Sequence, residues 1–443
     1  MQSVIGELAS FVTGAKASGL PAADRERLGL HLTDTVIASL VGARIPEGKA
    51  LQNFGDARAL ADRIGRCAAA IRLTEIDDIH LPSCTTPSAG IVPVALALAA
   101  SLQNLNADDI ASAIWTGTEL TTRIGIAASG PQILYRGIWP TYLAAPVAAA
   151  ATAARLFGLD EARTGHALSL AFMLMAGGVG RIHGAPSGRW FLYANAVAGG
   201  VAAAEAARAG YRGDPQLLNK NWLADTHGIA LDQSRLTGGL GSGSVYETLS
   251  IKPFCSAKQA IAAVEAFRAI MREEKLHRDA ITRVRVHVPP AYAAMIATRA
   301  EPGARQSTMV SVAYQIALAA LAPERLYDVD RSLPAADTDV MEFAAKVEVI
   351  PEPALESLYP QHWPAEVEVE AARKILKHRV VAAAGDPEHP FSCAAVDDKA
   401  HRVLDPMLGA ARVGEWLTIC HGALVSSAGC KDLVAAYARE DGI

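Results

Sequence analysis

The sequence predicts a mainly α fold: a large all-α helical domain with a smaller α+β domain inserted into it. Three observations carry this. Apolar residues recur at helical spacing from the start to about residue 274, period-two alternation is confined to the stretch that follows, and helical spacing returns near residue 395. The boundaries are therefore 1–274 plus 395–443 for a discontinuous helical domain and 275–394 for the inserted one. A chain of 443 residues with 51% hydrophobic and 20% charged residues can bury a large core and is not globally disordered.

The first long helix reads from "RERLGLHLTDTVIASLVGA" (25–43), which stops on Gly42. "AGIVPVALALAA" (89–100) and "YLAAPVAAAATAA" (142–154) are apolar all round but shorter than the ~18–20 residues of a spanning helix, so they read as closely packed internal helices. Asn106 is placed to cap the next helix, with Asp108 and Asp109 in its first turn where the dipole favours them. Asp160 starts a helix that stops at the glycine pair 177–178, and Ser256 starts another. "ITRVRVHVPP" then alternates Val284, Val286 and Val288 with Arg283, Arg285 and His287, the pattern of a strand with one polar face. Strands also read from 346–352, 365–371 and 374–383, the last two as a hairpin, with helices near 307–321 and 337–345. "KAHRVLDPMLGAAR" and "GALVSSAGCKDLVAAYARE" return to helix.

Composition excludes several classes of function. A net charge of −5 with dispersed basic residues leaves no nucleic-acid footprint. Neither a signal peptide nor a membrane span is expected, and six widely separated cysteines without a C-x-x-C read as reduced thiols in a cytoplasmic protein. The histidines form no H-E-x-x-H and no Cys/His cluster, so no metal site is expected. One stretch, "TEIDDIHLPSCTTPSAGIVP" (74–93), gathers Glu75, Asp77, Asp78, His80, Cys84, Thr85 and Thr86 ahead of an apolar helix. It is either a solvated loop or the rim of a pocket for a small acid.

Four stretches together resemble the MmgE/PrpD family, which includes 2-methylcitrate dehydratase, cis-aconitate decarboxylase and iminodisuccinate epimerase. "EIDDIH…TPSAGIVPVALALA" resembles the family's D-D-T-H, H-P-S and apolar helix. "GTELTTRIG…YRGIWPTYLAAPVAAAATAARLFGLD" resembles its G-x-E-x-x-x-R-x-G, G-W-H-P-T and alanine-rich helix. "SIKPFCSAKQAIAAVEAF" resembles its K-P-Y-P-x-C segment, and "YPQHWPAEVEVEA…GDPEHPFS" its W-P-A-x-V-x-V and G-D-P-x-x-P-x-S. The resemblance implies a helical domain with an inserted α+β lid, a homodimer, and a small carboxylate substrate held in a cleft. It also implies chemistry beside a carboxylate without a metal, flavin or pyridoxal cofactor.

The resemblance places Lys252 of "IKPF" at the family's pocket lysine, as acid–base or enolate-stabilising group; the alternative is a surface lysine before a proline turn. Asp77 and Asp78 match its carboxylate pair, orienting a catalytic side chain or capping the following helix. Two family histidines fall on Thr86 and Trp139, and a family lysine aligns with Arg189; two further histidines become Leu192 and Ile261. Proton transfer then passes to Lys252, His80, His183, a tyrosine or water. In "GRIHGAPSGRW", Arg181 or Arg189 clamps a carboxylate and His183 replaces a lost histidine, unless this is a solvated basic loop. Tyr135 and Tyr142 flank "GIWPT" and donate to substrate or serve as core tyrosines. The implied function is a cofactor-independent dehydratase or decarboxylase of a small di- or tricarboxylate. The alternatives are an epimerase or isomerase working by proton exchange, or an inactive carboxylate-binding paralogue.

Overall fold

The computed structural model describes residues 3–53, 55–56, 58–102, 105–175, 188–219, 221–301, 303–331 and 337–440. Helices dominate, with one four-stranded sheet, so the mainly α expectation holds. Among the described residues no helix is long and apolar enough to cross a membrane.

The chain divides into two compact units. One takes in the described residues up to 175, 188–249 and 392–440; the other takes in 250–391. The division falls near Ser250 rather than residue 275 because the helix Lys258–Glu273 packs on the strands Ala365–Ala371 and Lys374–Val380.

The first unit is a helical bundle built around the almost wholly buried helix Pro140–Leu156, which packs against Ala107–Ala127, Ser88–Ser101, Glu161–Phe172 and Gly188–Arg208; the last also packs on Leu60–Arg72. Small residues set the spacing. A Cβ added at Gly65 would lie 2.2 Å from the Ala194 carbonyl oxygen, and one at Gly200 would lie 2.2 Å from that of Pro146. The capping signals hold: Asn106 accepts from Asp108 and Asp109 N–H while Asp109 accepts from Asn106 N–H, a full capping box, and Asp160 accepts from Arg163 N–H. The apolar stretches become Ser88–Ser101 and Pro140–Leu156, each continuing through an internal proline. Three expectations need correction. The helix opened by Asp160 ends at Phe172, and the glycine pair 177–178 lies outside the described residues. The helix expected from Ser256 starts at Lys258: Ala257 is its N-cap, with ψ at 134° outside the helical range, and its N–H is held by the Met309 carbonyl. The C-terminal segment forms three helices, Cys393–Leu408, Ala410–Gly422 and Ser427–Arg439, with the last capped by Ser426 through Gly429 N–H.

In the second unit, Ile281–Val288 pairs in parallel with Val347–Pro351 and antiparallel with Ala365–Ala371, which forms the expected hairpin with Lys374–Val380. Val284, Val286 and Val288 are fully buried, while Arg283 and Arg285 face Glu348, Glu368 and Glu370 across the strands. The hairpin turns on Ala372 and Arg373, both at positive φ as a two-residue turn requires.

Candidate active site

The stretch 74–93 is no solvated loop. Glu75, Asp77, Asp78, His80, Ser83, Thr85 and Thr86 are all buried. The helix Leu60–Arg72 delivers its last residue into this region. Arg72 donates from Nη1 to Asp77 Oδ1 at 2.9 Å and from Nη2 to Glu75 Oε1 at 3.3 Å. Burial alone would lower the Arg72 pKa, but the two carboxylates outweigh it and hold the guanidinium above its ordinary value. Asp77 thus holds an arginine, and Arg72 was not singled out by any motif.

Aromatic rings and a second arginine sit beside this ion group. Trp139 and Tyr142 lie one helical turn apart at the start of Pro140–Leu156 and stack with centroids 5.5 Å apart. Tyr142 in turn packs on Tyr193 at 4.8 Å. Arg189 and Tyr193 are also one turn apart, on Gly188–Arg208, and the Arg189 guanidinium lies 4.8 Å from the Trp139 ring centre and 4.2 Å from that of Trp190. Such stacking uses the face of the guanidinium and not its N–H edge, the edge that forks onto a carboxylate. Gly90 makes room for Tyr193, since a Cβ there would meet its hydroxyl at 2.7 Å. Burial pushes the Tyr142 phenol up to about 12 although Arg189 and Arg72 pull it down, and burial raises Tyr193 well above the ordinary range. Both phenols are neutral donors at physiological pH.

The hydroxyl of Tyr142 and the indole Nε1 of Trp139 are buried and, among the described residues, have no hydrogen-bond partner. Buried polar atoms are nearly always paired, so two orphaned donors on stacked rings require an explanation.

The neighbouring turn is tightly self-satisfied. His80 and Thr85 pair through their backbones, Ser83 N–H and the His80 Nδ1 lie 3.3 Å apart, and Ser83 Oγ bridges His80 Nδ1 at 2.7 Å and Thr85 Oγ1 at 2.6 Å. The backbone donor makes Nδ1 an acceptor, so the ring proton belongs on Nε2. Desolvation lowers the His80 pKa to about 4, against the opposing pull of Asp78, and the ring is neutral near pH 7. Asp78 accepts from Ser88 N–H at 3.1 Å and from Ser88 Oγ at 2.5 Å, and lies 3.0 Å from His31 Nδ1. It therefore fastens the start of Ser88–Ser101, the capping role, rather than offering a free carboxylate. Thr86 is tied to Thr141, whose hydroxyl lies 3.0 Å from its N–H and 3.2 Å from its Oγ1. Tyr135 is half-buried at the end of the short helix Gly130–Leu134.

Lys252 belongs to the second unit and is 1% exposed, which excludes a surface lysine. Its segment is held on both sides: Ile251 donates its N–H to Gly385 at 2.9 Å, and Cys255 donates to Leu326 at 3.0 Å. Gly385, at φ 82°, approaches so closely that a Cβ would lie 2.0 Å from the Ile251 carbonyl oxygen. Next to it Asp386 pairs with the buried Lys258 ammonium at 2.5 Å, which gives the "GDP" motif a reason: it anchors the lysine segment.

Of the residues expected at the site, the structure brings Asp77, Trp139, Tyr142 and Arg189 together, with Asp78, His80 and Thr86 in the adjoining turn. Arg181 and His183 lie outside the described residues. Reading the sequence missed Arg72, Tyr193 and His31. The spacings 139/142 and 189/193 carried a signal for Tyr193; Arg72 carried none beyond standing five residues before Asp77.

Two family profiles match: the MmgE/PrpD N-terminal domain over residues 66–227 and the MmgE/PrpD C-terminal domain over 254–420. The first spans the cluster from Arg72 to Tyr193 but not His31 or Lys252. Among curated proteins, the cis-aconitate decarboxylase-like protein oryM of Aspergillus oryzae (strain ATCC 42149 / RIB 40) is 28% identical over 242 residues, half of this chain and half of that protein. With both of the family's domains matched in order along one polypeptide, this chain belongs to the MmgE/PrpD family.

Proposed function

We propose that the protein is a lyase that decarboxylates a small di- or tricarboxylate of the aconitate type. The observation that carries this reading is the pair of buried donors without a partner among the described residues, Tyr142 Oη–H and Trp139 Nε1–H, beside the stacked guanidinium of Arg189. A substrate carboxylate supplies the acceptors these donors lack and the negative charge that Arg189 faces. When the bond to the departing carboxyl group breaks, its electron pair passes onto the neighbouring carbonyl system as an enolate. Neutral donors fixed in a dry site strengthen their hold as that charge develops. A proton must then reach carbon to complete the reaction.

Decarboxylation is favoured over dehydration by the state of His80. Expelling hydroxide needs an acid near neutrality; His80 is neutral with Nδ1 engaged by Ser83, and Thr86 cannot titrate. The name of the Aspergillus relative points the same way. Proton exchange at one carbon, as in an epimerase, also avoids hydroxide loss and is the second reading.

Incubation in deuterated buffer with cis-aconitate, methylcitrate and iminodisuccinate separates these readings. Release of carbon dioxide with deuterium at the vacated carbon is expected, and Tyr142→Phe and Trp139→Phe should each lower kcat/KM by about 10²-fold, as for loss of one oxyanion donor. Deuterium uptake without bond cleavage makes the protein an epimerase, and loss of water alone overturns the preference for decarboxylation. Unchanged turnover in both variants sinks the site assignment.

A further inference from the structure

The helix Cys393–Leu408 carries Cys393 and Asp397 one turn apart, and the last turn of Ala410–Gly422 brings His421 against them. His421 Nε2 lies 3.3 Å from Cys393 Sγ and 3.0 Å from Asp397 Oδ1, while Cys393 Sγ lies 4.0 Å from Asp397 Oδ2. One atom of each residue falls within 4.8 Å of the other two. A relay would use the two imidazole nitrogens in sequence; here thiol and carboxylate converge on the same nitrogen, which can hold only one proton. Convergence on a common point is what a cation requires. A tetrahedral zinc ion, with bonds of about 2.0–2.1 Å to nitrogen and oxygen and about 2.3 Å to sulfur, spaces its ligand atoms roughly 3.3–3.6 Å apart. The Nε2–Sγ and Nε2–Oδ1 separations lie within a few tenths of an ångström of that spacing, and a turn of the Asp397 carboxylate toward the sulfur completes the triangle.

Cys393 and His421 also line a cavity of about 500 Å³, walled further by Arg25, Glu26, Asp108 and Cys420. This cavity lies within the helical unit and shares no residue with the Arg72–Tyr142–Arg189 cluster. We propose that Cys393, Asp397 and His421 form a binding site for a zinc-class divalent cation, with a fourth position open to this cavity. Thiolate, imidazole and carboxylate together suit a borderline-soft ion rather than magnesium or calcium. Binding takes the thiol proton of Cys393 into solvent. Because the thiol gives up its proton on binding, uptake should strengthen as pH rises. Linear motif reading finds no such site because the third ligand is 24 residues from the second.

Cobalt(II) chloride titrated into the tag-free, chelator-treated full chain tests the proposal without reference to turnover. A thiolate-to-cobalt charge-transfer band saturating at one equivalent is expected, absent in Cys393→Ser. Asp397→Asn and His421→Ala should weaken binding by more than about 100-fold, beyond the effect of losing an outer partner. All three positions are at the surface, so melting in chelator should match the parent chain, and zinc should raise the melting temperature of the parent only. A missing band in the parent chain, or a band that survives in Cys393→Ser, overturns the site.

Discussion

Tyr142 places two opposing demands on one hydroxyl. Among the described residues the buried phenol has no partner, a state that costs about 1–3 kcal/mol relative to a satisfied one. Tyr142→Phe should therefore leave the unfolding free energy unchanged or raised in a denaturant titration while activity falls, a split that a purely structural tyrosine would not show. His80 makes the opposite contribution. Its folded-state pKa of about 4 lies below the unfolded value near 6.5, so the unfolded chain takes up the proton first. The stability tied to a neutral His80 is present above that unfolded value and is lost as pH falls toward 4, by up to about 3 kcal/mol. His80→Asn, which keeps an acceptor for Ser83, should flatten that part of the pH dependence when the two chains are unfolded in urea between pH 7 and 4.5.

At the scale of elements, Gly188–Arg208 carries both Arg189 and Tyr193, and its distance from its neighbours is set by Gly65 and Gly200, each pressed against a backbone carbonyl. Backbone cannot rotate aside as a side chain does. Gly65→Ala and Gly200→Ala should each destabilise by about 1–3 kcal/mol, the range for overpacking, and should lower the melting temperature although alanine is the better helix former. Much of this level was legible in advance. Asn106 and Asp160 cap where their side chains predict, and the valines of 284–288 face the core. The failures had tertiary causes: Ala257 gives its N–H to Met309, and Gly429 at the C-terminal turn packs on the backbone of Gly422. The candidate site was half legible. Trp139, Tyr142, Arg189 and Asp77 stood in family-like motifs, whereas Arg72 is one charge on an amphipathic helix until the fold folds Glu75 and Asp77 back onto it.

Across the whole molecule, the helical unit is completed by residues far along the chain. Lys399 donates to Asp34 at 2.5 Å and to the Ile76 carbonyl at 2.7 Å, all buried. Burial raises the Asp34 pKa although Lys399 and His31 pull it down. Lys399→Met should destabilise by about 3–5 kcal/mol near pH 8, because an uncompensated carboxylate remains inside. The loss should be smaller when measured at pH 5, because burial raises the Asp34 pKa and acid favours its neutral form, and Asp34→Leu in the same chain should recover much of it. Equal losses at both pH values would show that the lysine acts by packing alone.

Partners separated by 365 residues also set a clock for biosynthesis. At about 5–20 residues per second, a ribosome needs roughly 20–70 s to add the ammonium that Asp34 awaits. Until then the nascent bundle holds an unanswered acid in its interior. Ribosomes stalled after residue 390 should display a protease-labile N-terminal half, and release of the longer chain should seal it.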